Sequence, residues 1–188
     1  MIANLAYEKA FDAPILVVLG GAPGVGKSGI AEALSQELGA VYLKIDAIEK
    51  PILASQRLRD SVGPVGYSVA YQLAILNLEL GNRVVADCVN PIPTTRHAWA
   101  SVAWGSDAHL IRIEITCSDV AEHRRRIENR RAMAPGHGFP NWQDVMRRRV
   151  DPWPEAEIRV DTASLSVGQA VREILEHMTS NGAVPLLQ

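Results

Sequence analysis

Ile15-Leu16-Val17-Val18-Leu19-Gly20-Gly21-Ala22-Pro23-Gly24-Val25-Gly26-Lys27-Ser28 is the stretch on which the fold turns. Its first five residues are continuously apolar, the pattern of a strand buried on both faces and lying centrally in a parallel sheet. From Gly21 to Ser28 the chain fits glycine, four residues, glycine, lysine, and serine or threonine without a mismatch. Glycines allow backbone conformations barred to other residues, so successive N–H groups can turn inward around phosphate oxygens at a helix start. Lys27 then supplies a point charge to the β- and γ-phosphates, and the Ser28 hydroxyl serves as a magnesium ligand. The phosphate-binding set is Gly21, Ala22, Pro23, Gly24, Val25, Gly26, Lys27, Ser28 and Gly29. A glycine-rich turn without a ligand is the alternative. The buried strand before it and the amphipathic helix after it, with Ile30, Ala31, Leu34 and Leu38 on one face and Gly39 as a stop, argue for the cradle.

Beyond this core, strand-like and helix-like segments alternate, the order that builds βαβ units. A second strand over about Val41 to Ile45 ends at Asp46. A helix is expected from about Ala47 to Arg59, broken by Ser61-Val62-Gly63-Pro64 and resumed from Val65 to Leu80. Val84-Val85-Ala86 forms a third strand leading to Asp87, and a helix carrying Arg96 and Trp99 follows Pro91 and Pro93. The fourth strand spans roughly Ala108 to Thr116. Ser118 or Asp119 can cap the next helix, which carries Arg124, Arg125, Arg126, Arg130 and Arg131. Ala134 to Pro140 is a breaker-rich loop with the composition of a movable segment, and Trp142 to Val150 returns to helical spacing. Ile158-Arg159-Val160 is the last strand, running into Asp161-Thr162, and Val167 to Met178 closes the chain with one apolar face.

The length of 188 residues suits one α/β domain spanning 1–188, and 47% hydrophobic with 21% charged residues is ordinary globular composition. A net charge of −2 offers no general attraction to polyanions, which argues against a whole-surface nucleic-acid or membrane binder. Cys88 and Cys117 sit beside apolar runs and read as small packed thiols. The run from Ile15 to Leu19 is too short for a leader and leads into glycines, and no stretch approaches the ~20 apolar residues of a membrane span, so the cytoplasm is the expected compartment. His97, His109, His123, His137 and His177 have no metal-ligand spacing and read as surface or structural residues. Trp99, Trp104, Trp142 and Trp153 read as core or hinge packing.

Parallel sheets bind ligands at the carboxyl ends of their strands, so Lys27, Asp46 and Asp87 are expected to share one cleft. Asp46 is either a base that accepts a proton from an attacking hydroxyl or a cap for the helix beginning at Ala47. Asp87 ends an apolar run as a magnesium-binding acid does, the alternative being a plain strand-end residue. The arginine cluster is either a solvated helix face or part of a closing segment. Arg126 and Arg130, four apart, share one face, and Arg124 and Arg131 point elsewhere.

With these residues in hand, the chain resembles the small P-loop kinases of the AAA_33 and zeta-toxin type, with chloramphenicol phosphotransferase-like and polynucleotide-kinase-like members, from about Ile15 to Met178. The segments that carry the resemblance are Gly20 to Ser28, Lys44-Ile45-Asp46-Ala47-Ile48, Asp87-Cys88-Val89-Asn90 with Arg96 and Trp99 behind it, Asp119 through Arg131, and Asp161-Thr162-Ala163. The resemblance implies a three-layer P-loop NTPase fold with a five-stranded parallel sheet in the order 2-3-1-4-5. It also implies ATP with magnesium as donor, Asp46 as base, an arginine-bearing lid over about 119–150 with Arg126 and Arg130 meeting phosphates, and Asp161 and Thr162 near the adenine ring. Glu49-Lys50-Pro51-Ile52-Leu53 lacks the arginine that polynucleotide-kinase-like members place there, which argues against a polynucleotide acceptor.

The function expected is transfer of the γ-phosphate of ATP to a hydroxyl of a small-molecule acceptor. Two alternatives stand beside it: a nucleotide-operated regulatory NTPase without acceptor, and a kinase of nucleic-acid ends or nucleotide-sugars. Within the acceptor region, Ala47 to Leu80, Arg57, Arg59, Tyr67 and Tyr71 are candidates whose other reading is packing or solvation. GTP as donor, and monomer or homodimer, stay open.

Overall fold

The computed structural model describes residues 14–55, 63–134 and 139–180. All six residues of β1 (Ile15–Gly20) are buried, as an apolar run without polar alternation requires. β3 (Val84–Asp87) and β4 (His109–Thr116) flank it in parallel, with β2 (Val41–Lys44) outside β3 and β5 (Ile158–Asp161) outside β4. The sheet order is β2-β3-β1-β4-β5, the order the resemblance implied.

Alternation along β1 divides the core in two. Ile15, Val17 and Leu19 face a cluster built with α1 (Lys27–Leu38) and α7 (Val167–Ser180), including Ile30, Leu34, Ile174 and Met178. Leu16 and Val18 face α3 (Val65–Glu79) and α4 (Pro93–Gly105), with Ala70, Ala74, Leu78 and Trp99. Helices thus cover both faces of the sheet. Leu19 is fully buried, so Leu19→Ala would leave a cavity costing about 2–5 kcal/mol.

Three further helices stand around the carboxyl edge: α2 (Ile45–Ala54), α5 (Val120–Met133) and α6 (Trp142–Arg147). Asp119 caps α5, accepting from the N–H groups of Ala121 and Glu122, and Asn141 with Asp144 forms a reciprocal capping box on α6. Register sets Leu19 and Lys44 opposite Asp87, which aligns the ends of β1, β2 and β3.

Several boundaries differ from the sequence reading. β2 stops at Lys44, and Ile45 and Asp46 already lie in the first turn of α2. α6 ends at Arg147 rather than Val150, because the chain turns extended toward Pro152. There Arg96, itself buried, donates to the carbonyls of Asp151 and Pro152 as well as Asn90. Trp99 and Trp153 are core residues, but Trp104 is 90% exposed and packs no core. The expected break at Ser61-Val62, Arg57, Arg59, His137 and most of the 134–140 loop lie outside the described residues. Among the described residues no helix is long and apolar enough to cross a membrane.

Candidate active site

The turn between β1 and α1 is shaped by close approach. Gly21 has φ 142° and Gly24 φ 83°, and a Cβ at Gly21 would sit 2.1 Å from the Ile115 carbonyl oxygen, against backbone that cannot give way. At Gly24 the intruded neighbour is the Ile127 side chain, 2.3 Å away. Glycine at both positions lets the loop pass between β4 and α5, and the Gly21 N–H donates to the Val89 carbonyl at 3.0 Å, which ties the start of the loop to the chain just beyond β3.

Lys27 is buried and its ammonium donates to the Ala22 carbonyl across the loop at 2.8 Å. Burial lowers its pKa, and Asp87 opposes that effect. Ser28, in the first turn of α1, donates its hydroxyl to Asp87 Oδ2 at 2.6 Å, and the Tyr42 hydroxyl donates to the same oxygen at 3.0 Å. Asp87 is buried, so these two hydroxyls are what stabilise its carboxylate there. Tyr42 escaped the sequence reading. The signal was available, since period-two alternation sets Tyr42 and Lys44 on one face of β2. Next to Asp87, burial pushes the Cys88 thiol up to about 12, so it stays an inert packed thiol.

On the other side of the cleft Asp46 caps nothing. Lys44 occupies the N-cap of α2 and no side chain caps that end. The Asp46 side chain is 53% exposed, and Arg130 reaches it from α5 with Nη2 3.9 Å from Oδ2. The Arg130 guanidinium lies over the Phe139 ring at 3.9 Å from the centroid, and Lys50 approaches the same ring at 5.1 Å. Phe139 was not singled out from sequence, where it was one member of a breaker-rich loop.

α5 sorts its arginines by face, as the four-residue spacing required. Arg124 pairs with Glu128, and Arg125 with Glu122, on the solvent side; Arg125 first, then Arg126, holds the Glu122 carboxyl down at about 2. Arg126 and Arg130 line the cleft. Arg126 is also a tie: it donates to the Thr162 hydroxyl at 2.8 Å and carbonyl at 3.0 Å, and Thr162 donates to the Val25 carbonyl at 2.7 Å. Thr162 is buried and Asp161 accepts from the N–H groups of Ser118 and Ala163. Hydrogen bonding from Ser118 lowers the Asp161 pKa. Both residues brace the loop behind the cleft wall instead of lining the cleft. His123, expected to be a surface or structural residue, is buried, donates from Nε2 to the Pro23 carbonyl at 2.8 Å and sets its ring edge-on to Trp142. It thereby joins the phosphate loop to α5 and α6.

Lys27, Ser28, Asp46, Asp87, Arg126 and Arg130 line one cleft of about 640 Å³, together with Pro23, Gly24, Gly26 and Gly29. Gly21, Ala22 and Val25 form the loop behind it. A second pocket of about 540 Å³ opens beside α3 and α4, and Asp46, Glu49, Val89 and Arg148 border both. Burial, then repulsion by Asp46, raises the Glu49 pKa. Among the described residues no group of three or more His, Cys, Asp or Glu could hold a metal ion.

A parallel sheet in this order, with a glycine loop and lysine between its central strand and first helix, defines a P-loop NTPase. The family model described as AAA domain, AAA_33, matches residues 16–152, and the chain belongs to that family. The fold is shared with a candidate kinase from Chloroflexus aurantiacus j-10-fl at TM-score 0.72 and 21% identity, covering 89% of this chain and 97% of that one. A gluconokinase from Sinorhizobium meliloti 1021 gives TM-score 0.65 and 20% identity over 89% and 93% of the two chains. The APS kinase CysC of Mycobacterium tuberculosis, solved with AMPPNP and APS, gives 0.67 and 16% over 87% and 96%. None of the curated proteins matches the chain.

Proposed function

We propose that the protein is an ATP-dependent kinase that moves the γ-phosphate to a hydroxyl of a small-molecule acceptor. The observation that carries this reading is the single cleft bordered by Lys27 and the Ser28–Asp87 pair on one side and by Asp46 with Arg130 on the other. A nucleotide switch needs only the first side. An exposed carboxylate bordering both the phosphate cleft and a second pocket is what an acceptor hydroxyl needs. Kinship of fold with a gluconokinase and an APS kinase supports the same reading.

The loop N–H groups and Lys27 hold the β- and γ-phosphates, Lys27 exchanging the Ala22 carbonyl for a phosphate oxygen. Asp46 accepts the proton as the acceptor oxygen bonds to the γ-phosphorus and the bond from that phosphorus to the β-bridging oxygen breaks. Arg130 and Arg126 neutralise charge on the transferring group, and residues 119–150 act as a lid that keeps water out. A hydroxyl against a carboxylate is a hard oxygen set, which fits magnesium; Ser28 would bind it directly and Asp87 through water. When bound, that ion offsets the charge shared by the β- and γ-phosphates.

The test is a screen of hydroxyl compounds for label transferred from γ-labelled ATP, with Asp46→Asn as control. Transfer that the control loses supports the reading. Hydrolysis indifferent to every acceptor would support a regulatory NTPase, and transfer only to nucleic-acid ends would support the third alternative.

A further inference from the structure

We propose that the second pocket is the acceptor site and that it selects an alcohol carried on an apolar, ring-sized body over polyols, sugars and nucleosides. The inference rests on the kinase reading and adds the acceptor class to it. Its first support is position. Asp46 borders both cavities, so a hydroxyl held at Asp46 faces the phosphate cleft while the rest of its molecule lies in the 540 Å³ pocket. That volume is within the range of about 300–1,000 Å³ typical of small-ligand sites.

The second support is the state of the pocket's polar atoms. Its walls are apolar at Ile45, Pro64, Val89, Ile92, Ala98 and Val150. Three of the hydroxyls that also line it donate to backbone: Ser68 to Pro64, Tyr71 to Thr95, and Thr95 to Ile92. The Tyr67 hydroxyl accepts from the Asn90 N–H, and Arg149 is paired with Asp151. The Tyr67 and Tyr71 rings lie 6.0 Å apart, and Tyr71 packs edge-on to the buried Trp99, a fixed aromatic wall. The hydroxyl oxygens of the pocket can still accept a hydrogen bond, but the apolar and aromatic walls offer a polyhydroxylated body fewer partners than water does, and polar groups left unpaired there are penalised more heavily than a missing apolar contact. A ring with one reacting alcohol loses nothing there.

The third support is the gathering of charged groups at one end. Asp46, Glu49 and Arg148 gather where the two cavities meet. Glu49 is set by packing, since a Cβ at Gly66 would lie 2.3 Å from its Cγ. One polar end and one apolar end match an acceptor with its alcohol at one end only.

The experiment compares transfer from γ-labelled ATP by the whole protein to benzyl alcohol and cyclohexylmethanol, to glucose and gluconate, and to adenosine. The expected result is kcat/KM at least 10-fold higher for the first pair than for the others. Preferential transfer to glucose, gluconate or adenosine overturns the acceptor class and leaves the kinase reading standing. Transfer to none of them, with nucleotide bound, overturns both. Ala98→Phe fills the pocket and should raise KM for benzyl alcohol at least 10-fold with kcat changed less. Ile92 is 41% exposed and tolerates truncation, so Ile92→Ala should raise the same KM about 3-fold. Unchanged KM in both variants, with unchanged melting temperatures, would overturn the location.

Discussion

The two sides of the cleft are built by different means. On the phosphate side, backbone conformation and short buried hydrogen bonds fix each group: Gly21 between strand and helix, Ser28 and Tyr42 on Asp87, Lys27 on Ala22. On the acceptor side, Asp46, Glu49, Arg130 and Phe139 come from α2, α5 and the chain before α6, half exposed and in looser contact, the Asp46–Arg130 pair being 3.9 Å apart. A phosphate is the same in every nucleotide, so its site can be rigid and written in a local motif. An acceptor site depends on side chains brought together from distant elements.

The sharpest way to break this comparison is Lys27→Ala. Loss of a preorganised charge at the transferring group should lower kcat by 10³-fold or more, several kcal/mol of transition-state stabilisation. Steady-state kinetics with saturating ATP reads it, and near-normal turnover would end the cradle assignment. Next is Asp46→Asn, which should reduce acceptor phosphorylation by about 10²–10⁴-fold. A fluorescent ATP analogue should bind this variant nearly as tightly as the parent; weakened nucleotide binding with transfer intact would remove Asp46 from the base role.

Legibility followed the same division. The order of strands, the loop, and the facing of Arg126 and Arg130 were readable because each rests on spacing within about 15 residues or on the family resemblance. Asp46 was readable as a position, but whether it capped α2 depended on where β2 stopped, a matter of two residues that pattern reading does not resolve. Phe139 and Arg148 carried no signal, since a ring under a guanidinium and a shared pocket wall are tertiary facts. His123 looked like one scattered histidine because its partner, Pro23, lies 100 residues away. Asp161 and Thr162, expected near the adenine ring, make hydrogen bonds to the Ser118 N–H and to Arg126 that pattern reading does not supply.

A milder probe of the acceptor side is Phe139→Ala. Arg130 would lose the ring beneath it, a contact worth about 0.5–1 kcal/mol at an exposed site. Arg130 would then be less well held over Asp46, and kcat for transfer should fall about 2- to 5-fold, as expected of that energy. The nucleotide dissociation constant should move less than kcat. An equal change in both would mean that the ring supports the phosphate side too.

The smallest expected effect concerns Glu49. Burial and then Asp46 raise its pKa in the folded state, with Arg148 opposing, so the native protein holds this proton more tightly than the unfolded chain does. Stability from that difference is fully present below the ordinary carboxylate pKa and is lost as pH rises through the raised value. Glu49→Gln cannot lose the proton. Melting temperatures of parent and variant, measured against pH, should therefore coincide near pH 4, and the variant should become the more stable as pH rises, levelling off once parental Glu49 is ionised. The other carboxylates titrate in both proteins and cancel. Because the side chain is only half buried, solvent screens the charge and the gap should be small, a degree or two of melting temperature at most. A gap of opposite sign would mean that ionised Glu49 is held by Arg148 more strongly than burial penalises it, and the acceptor side would then contain a fixed polar contact, as the phosphate side does in the two hydroxyls on Asp87.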